Sequence, residues 1–206
     1  MQRSFLPMLG MAREGWLPLT FLLAASSVVL SHGHPLVATF AVLGVALVAG
    51  FFQEPERNIP ASALSVVSPV SGRVISVGDR SCSVLDRSAL SVRIRVNPFG
   101  GYALRAPVEG VLREPPHASR GRCSSWVRTD EGEDIALCIT CGSMLGQRPL
   151  GYGYGQRVGH GRRSGARRFA LEVELLLPAA SRLAVKAGDR VTSGESIIVH
   201  LPSRST

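Results

Sequence analysis

The sequence predicts a mainly β fold: a barrel-sandwich-like antiparallel β domain preceded by an N-terminal transmembrane helical hairpin. Three observations carry this. Two apolar runs, Trp16 to Leu30 and Leu36 to Phe52, contain no charged residue. Beyond them the chain breaks into short β-branched segments punctuated by Gly, Pro, Asp and Ser, which is how antiparallel strands read. A turn-then-strand unit also recurs, as Pro69-Val-Ser-Gly-Arg-Val74, Pro107-Val-Glu-Gly-Val-Leu112 and Val185-Lys-Ala-Gly-Asp-Arg-Val-Thr-Ser-Gly-Glu195. A chain of 206 residues has room for one medium domain and an appendage. The boundaries fall at 1–52 for the anchor and 53–206 for the β domain.

In chain order, the first fifteen residues carry Arg3 and Arg13 and lead into the first apolar run. The turn at 31–35, Ser-His-Gly-His-Pro, joins it to the second, with His32 and His34 as turn residues. Each run falls slightly short of the roughly 20 residues that span a bilayer. Arginines at 3, 13 and 57 bracket the pair, so the positive-inside rule puts both ends, and the β domain, on the cytoplasmic side of the inner membrane. A cleaved signal peptide imitates the first run, but its removal leaves the second run exposed. Phe51-Phe-Gln-Glu-Pro-Glu-Arg-Asn-Ile-Pro60 marks the exit from the membrane. The strand candidates that follow are 65–67, 72–77, 90–96 and 134–139, and the stretch Arg167 to Leu177, closed by Pro178, is the one the rest is arranged around.

Composition narrows the chemistry. The formal charge is +8 and the cations are arginines apart from Lys186, so the partner is anionic. Lys186 lies in a turn context that matches neither a P-loop nor a Schiff-base lysine nor a lipoyl or biotinyl carrier site. Cys138-Ile-Thr-Cys141 has metal-ligand or redox spacing, but no second pair follows, and the four cysteines read as buried free thiols with no metal. Residues 149–168 interleave glycine with tyrosine and arginine, which fits nucleic-acid stacking or phosphate cradling. An irregular pair of strands with a basic rim is the simpler reading, so nucleic acid is not the favoured partner.

Taken together, Phe51-Phe-Gln-Glu-Pro-Glu-Arg57, Ser68-Pro-Val-Ser-Gly-Arg-Val74, Asn97-Pro-Phe-Gly-Gly-Tyr-Ala-Leu-Arg-Ala-Pro-Val-Glu-Gly-Val111 and the segment 185–195 resemble the short bacterial, pyruvoyl-dependent phosphatidylserine decarboxylases. The likeness covers about Phe51 to Leu201, and the hairpin with Arg13-Glu-Gly-Trp16 before it resembles that family's membrane anchor. The resemblance implies self-processing: a serine attacks the preceding glycine carbonyl, and the ester eliminates to leave a pyruvoyl group that accepts the amine of phosphatidylserine. An aspartate and a histidine assist the serine.

Each of those positions is changed here. The family's Phe-Gly-Ser corresponds to Phe169-Ala170-Leu171, so Leu171 stands in place of the cleavage serine and Ala170 in place of its glycine. Ser71 replaces the aspartate and Tyr102 the histidine. The residues that shape turns and packing, among them Pro69, Gly72, Pro98, Arg105, Pro107, Gly110, Gly188 and Asp189, are retained. The expectation is a pseudoenzyme with no catalytic residues and no pyruvoyl cofactor, binding anionic phospholipid or pairing with an active paralogue or a second copy. Arg157, Arg162, Arg163, Arg167 and Arg168 are its candidate lipid-binding residues. The competing expectations are a working decarboxylase that uses a displaced serine, the only Gly-Ser pair being Gly142-Ser143, or a pyruvoyl-free route, and a basic nucleic-acid binder.

Overall fold

Helices that are apolar on every side have no polar face to turn to water. The computed structural model shows two of them, α1 (Trp16–Ser31) and α2 (Pro35–Phe51). Residues 12, 15–31, 35–62, 64–82, 87–114, 123–141, 153–166 and 170–202 are described. Pro35 opens α2 at the one helical position where a missing N–H costs nothing. The hydroxyls of Thr20, Ser26, Ser27 and Ser31 donate to carbonyls three or four residues back, at 3.0, 2.6, 2.8 and 2.6 Å. The helices touch near Gly44, where a Cβ would stand 3.2 Å from Leu22 Cδ2.

The expected hairpin is therefore helical, but its transmembrane character is not met. Sixteen and seventeen residues make helices of roughly 24–26 Å, against a hydrocarbon core of about 30 Å. No helix among the described residues is long and apolar enough to cross a membrane. The turn carrying His32 and His34 lies outside the described residues.

The chain forms two compact units, Met1–Glu56 and Arg57–Thr206. The second is β throughout, with thirteen strands among the described residues. They are β1 (Ser65–Val67), β2 (Gly72–Cys82), β3 (Arg87–Val96), β4 (Ala103–Arg105), β5 (Gly110–Arg113), β6 (Cys123–Arg128) and β7 (Asp134–Cys141). The others are β8 (Arg157–Val158), β9 (Arg163–Ala166), β10 (Glu172–Pro178), β11 (Arg182–Leu183), β12 (Arg190–Val191) and β13 (Ile197–His200). They pair antiparallel in an eight-stranded sheet, β12-β2-β3-β10-β7-β6-β5-β8, a three-stranded sheet, β1-β13-β11, and the pair β4-β9. The predicted mainly antiparallel β domain is what forms.

β10 lies between β3 and β7, and its alternation places Val173, Leu175 and Leu177 in the main core with Val74, Val92, Ile94, Ile135, Leu137 and Ile198. Each such side chain contributes roughly 1.5–3 kcal/mol by leaving water. Leu176 points to the other face and packs with Ala89, Trp126, Ala136 and Cys138. Cys138 is disulfide-bonded, which corrects the reading of the cysteines as free thiols.

The recurring turn-then-strand units form two structural copies that clasp each other. Val67 N–H donates to Pro107 C=O at 2.8 Å, and Arg105 N–H to Pro69 C=O at 3.0 Å. In the first copy Gly188 N–H meets Val74 C=O and Val74 N–H meets Asp189 C=O, at 2.8 and 2.9 Å. In the second, Gly155 meets Leu112 and Leu112 meets Gln156 in the same sense, at 2.7 and 2.9 Å. Gly72 opens β2 under Arg95 C=O, 2.0 Å from where a Cβ would stand, and Gly110 opens β5 under Arg128 C=O at 2.3 Å. By this correspondence Gly72 matches Gly110, Ser71 matches Glu109, Arg95 matches Arg128, and Arg190 of β12 matches Arg157 of β8.

Candidate functional site

The end of β3 brings together two of the positions that the family resemblance singles out. Asn97 N–H donates to Ser71 C=O at 2.9 Å, and Val96 N–H donates to Leu171 C=O at 2.8 Å. Ser71 and Leu171 thus flank β3 from the β2 and β10 sides, with backbones about 10 Å apart, two strand spacings. Ser71 is only 8% exposed; its Oγ accepts from Ser193 N–H at 2.9 Å, while Ser193 Oγ donates to Pro69 C=O at 3.0 Å. Gly100 must be glycine for this packing, since a Cβ there would stand 2.6 Å from Ser71 Cβ. Tyr102 is buried just before β4, and Ala170 is buried beside Leu171, which is 54% exposed.

Ser71 and Leu171, the two described residues that flank this strand end, form no nucleophile–base pair. Leucine supplies no nucleophile and no carbon skeleton for a pyruvoyl group, so the residues present do not fit that cofactor. The Ser71 hydroxyl fastens the turn at Thr192–Ser196 rather than acting as a base. Gly142 and Ser143, the alternative cleavage pair, lie outside the described residues. Among the described residues no cluster of three or more His, Cys, Asp or Glu is arranged to hold a metal ion.

The same place opens into a cleft of about 640 Å³, lined by Arg57, Arg73, Arg95 and Arg190 with Ser71, Asn97 and Gly100. Register produces the arginine row. Arg190 of β12 lies opposite Arg73 of β2, Arg73 lies opposite Arg95 of β3, and Arg95 lies opposite Glu172 of β10. Glu172 approaches Arg95 at 3.6 Å. Arg57 reaches Glu195 at 3.9 Å and donates to Gly100 C=O at 3.4 Å. Among the described residues, neither Arg73 nor Arg190 has an ion pair or a side-chain hydrogen bond.

Of the arginines singled out from the sequence, Arg157, Arg162 and Arg163 are described. Arg157 donates to Glu109 Oε1 through Nη2 at 3.0 Å and through Nε at 3.2 Å, and its Nη2 also meets Asp130. Hydrogen bonding to Glu109, then to Asp130, raises its pKa further above the ordinary arginine value. Arg162 is exposed, and Arg163 is half-buried with Nε donating to Gly165 C=O at 3.4 Å. Arg167 and Arg168 lie outside the described residues. Beside Glu109, His160 borders a cavity of about 340 Å³. Its Nε2 is buried without a partner, and desolvation pushes its pKa below the ordinary histidine value, with Glu109 opposing.

The second unit is thus a β scaffold with an arginine-lined recess at the end of its central strands. The chain is 31% identical to the phosphatidylserine decarboxylase proenzyme of Aromatoleum aromaticum, over 93% of this chain and 96% of the relative. It is 29% identical to the proenzyme of the same name from Nitrosomonas eutropha, over 96% of this chain and 98% of the relative. The corresponding values for Nitrosomonas europaea are 30%, 91% and 93%. No family model matches the chain. On the strength of these relatives, the chain belongs to the phosphatidylserine decarboxylase family.

Proposed function

We propose that this protein is a membrane-associated member of the family that has lost the reaction: it neither processes itself nor decarboxylates phosphatidylserine, and it binds anionic phospholipid. The observation that carries the reading is Ala170-Leu171 at the position of the cleavage pair, at the same strand end as Ser71, with Tyr102 at the position of the family's histidine. A lone substitution at a nucleophile leaves the rest of a site recognisable. Here nucleophile, base and orienter are replaced together, while the glycines and prolines that build the fold remain.

Membrane association rests on the helical hairpin. Leu17, Phe21 and Phe40 are 80%, 76% and 73% exposed on helices without a charged residue, and such side chains find their low-energy surroundings among acyl chains. The proposed location of the β domain is the cytoplasmic face of the inner membrane, where the arginines flanking the hairpin meet anionic lipid headgroups. Exposed Arg162 and its basic neighbours add attraction to anionic lipid, on the order of 1 kcal/mol for each residue near the surface. The retained scaffold also supports pairing with an active relative or with a second copy.

Denaturing mass measurement of the full chain tests the loss of reaction. An intact chain of 21.9 kDa is expected. Two fragments, one beginning with a blocked pyruvoyl terminus, overturn it.

A further inference from the structure

We infer that the cleft at the end of β2 and β3 is a phosphate-binding site in which Arg73 and Arg190, assisted by Arg95, hold the anion. The two structural copies supply the argument. In the second copy Arg157 of β8 meets Glu109, the residue before Gly110, and Asp130, two residues beyond Arg128. In the first copy the corresponding arginine is Arg190, the residue before Gly72 is Ser71, and the residue two beyond Arg95 is Asn97. Both carboxylates have become neutral side chains. The second copy is closed by its own acids, whereas the first presents an arginine in the same place with its counterions removed.

The row deepens that imbalance. Three guanidinium-bearing residues occupy directly opposed positions on three adjacent strands, and like charges so placed repel. Glu172 offsets Arg95 and Glu195 offsets Arg57, leaving Arg73 and Arg190 uncompensated beside a cleft of about 640 Å³. An anion bridging the row relieves this repulsion. A phosphate offers oxygens in several directions, and the planar arginine fork engages them through paired N–H donors.

The chemistry is shared by a phosphodiester lipid headgroup and by free inorganic phosphate. The inference deepens the lipid-binding reading and fails separately from it, since it requires neither cleavage nor its absence. The test uses the full chain in neutral phosphatidylcholine nanodiscs, titrated calorimetrically with glycerophosphoserine and with inorganic phosphate at matched ionic strength. Saturable binding is expected, weakened about tenfold or more in Arg73→Gln/Arg190→Gln and unchanged in Arg182→Gln, which lies on exposed β11. Asn97→Asp, a near-isosteric change that returns one carboxylate beside Arg190, is also expected to weaken binding. Tighter binding of glycerophosphoserine assigns the site to a headgroup, and tighter binding of inorganic phosphate assigns it to the free anion. Absence of saturable binding by either anion, or full binding by the double variant with its melting temperature retained, overturns the inference.

Discussion

Returning the family's residues to the end of β3 separates the loss of a nucleophile from the loss of its assistance. Leu171 is 54% exposed, so Leu171→Ser forfeits only part of the roughly 1.5–3 kcal/mol a buried leucine contributes, on the order of 1 kcal/mol. A domain stabilised by about 5–15 kcal/mol survives that change. The restored hydroxyl still lacks a base: Ser71 Oγ is engaged with Ser193 N–H and has no carboxylate to take the proton. Positioned general acid–base groups contribute roughly 10²–10⁴-fold, so the single variant remains at 21.9 kDa over days. The combined variant Ser71→Asp/Tyr102→His/Ala170→Gly/Leu171→Ser cuts between residues 170 and 171, faster than Leu171→Ser alone by a factor in that range. Timed denaturing mass spectrometry of the full chain reads both outcomes. Efficient cleavage of Leu171→Ser refutes the argument that the assisting positions limit the reaction. A folded but uncut combined variant refutes the assignment of Ser71 and Tyr102 to those roles.

Three further outcomes follow from the packing and the ionisation. Gly72→Ala drives a methyl to 2.0 Å from Arg95 C=O and costs about 1–3 kcal/mol, which lowers the melting temperature by several degrees; Gly78→Ala, with nothing within 4 Å of its Cβ, leaves the melting temperature nearly unchanged. Burial holds the His160 pKa below 6.5, so the unfolded chain takes up the proton first. The stability this group contributes is therefore complete above about pH 6.5 and falls as pH drops towards the folded pKa; a melting series from pH 7.5 to 5 shows the decline, and His160→Asn flattens it. Leu17→Asp/Phe21→Asp/Phe40→Asp places charge where the hairpin exposes apolar surface, and the variant floats with phosphatidylglycerol-containing liposomes far less than the parent chain does; equal flotation excludes the hairpin as the anchor.

Features confined to one short stretch were legible in the sequence, and features created by pairing were not. β10 reads directly from Glu172-Val-Glu-Leu-Leu-Leu-Pro178, and Ala170-Leu171, which the family resemblance sets at the cleavage pair, are two adjacent letters. The hairpin reads from its apolar runs, whose shortness against a bilayer was already visible in their length. The sequence places Arg157 beside Arg162, Arg163, Arg167 and Arg168, but the partners of a strand residue lie across the sheet and are not legible from its neighbours in the chain. Arg157 finds Glu109 and Asp130, 48 and 27 residues away. Arg73, Arg95 and Arg190 form a row only because two register pairs align three strands, and no local motif announces that. The internal echo was the one sequence signal that reached further, because it placed Pro69-Val-Ser-Gly beside Pro107-Val-Glu-Gly. That comparison joins the two halves of the functional reading. Ser71 stands where the family resemblance expects an aspartate, and Arg190 lines the cleft without the carboxylate that its counterpart Arg157 meets in Glu109. The proposed loss of the reaction and the inferred anion site share one origin, the carboxylate absent at position 71.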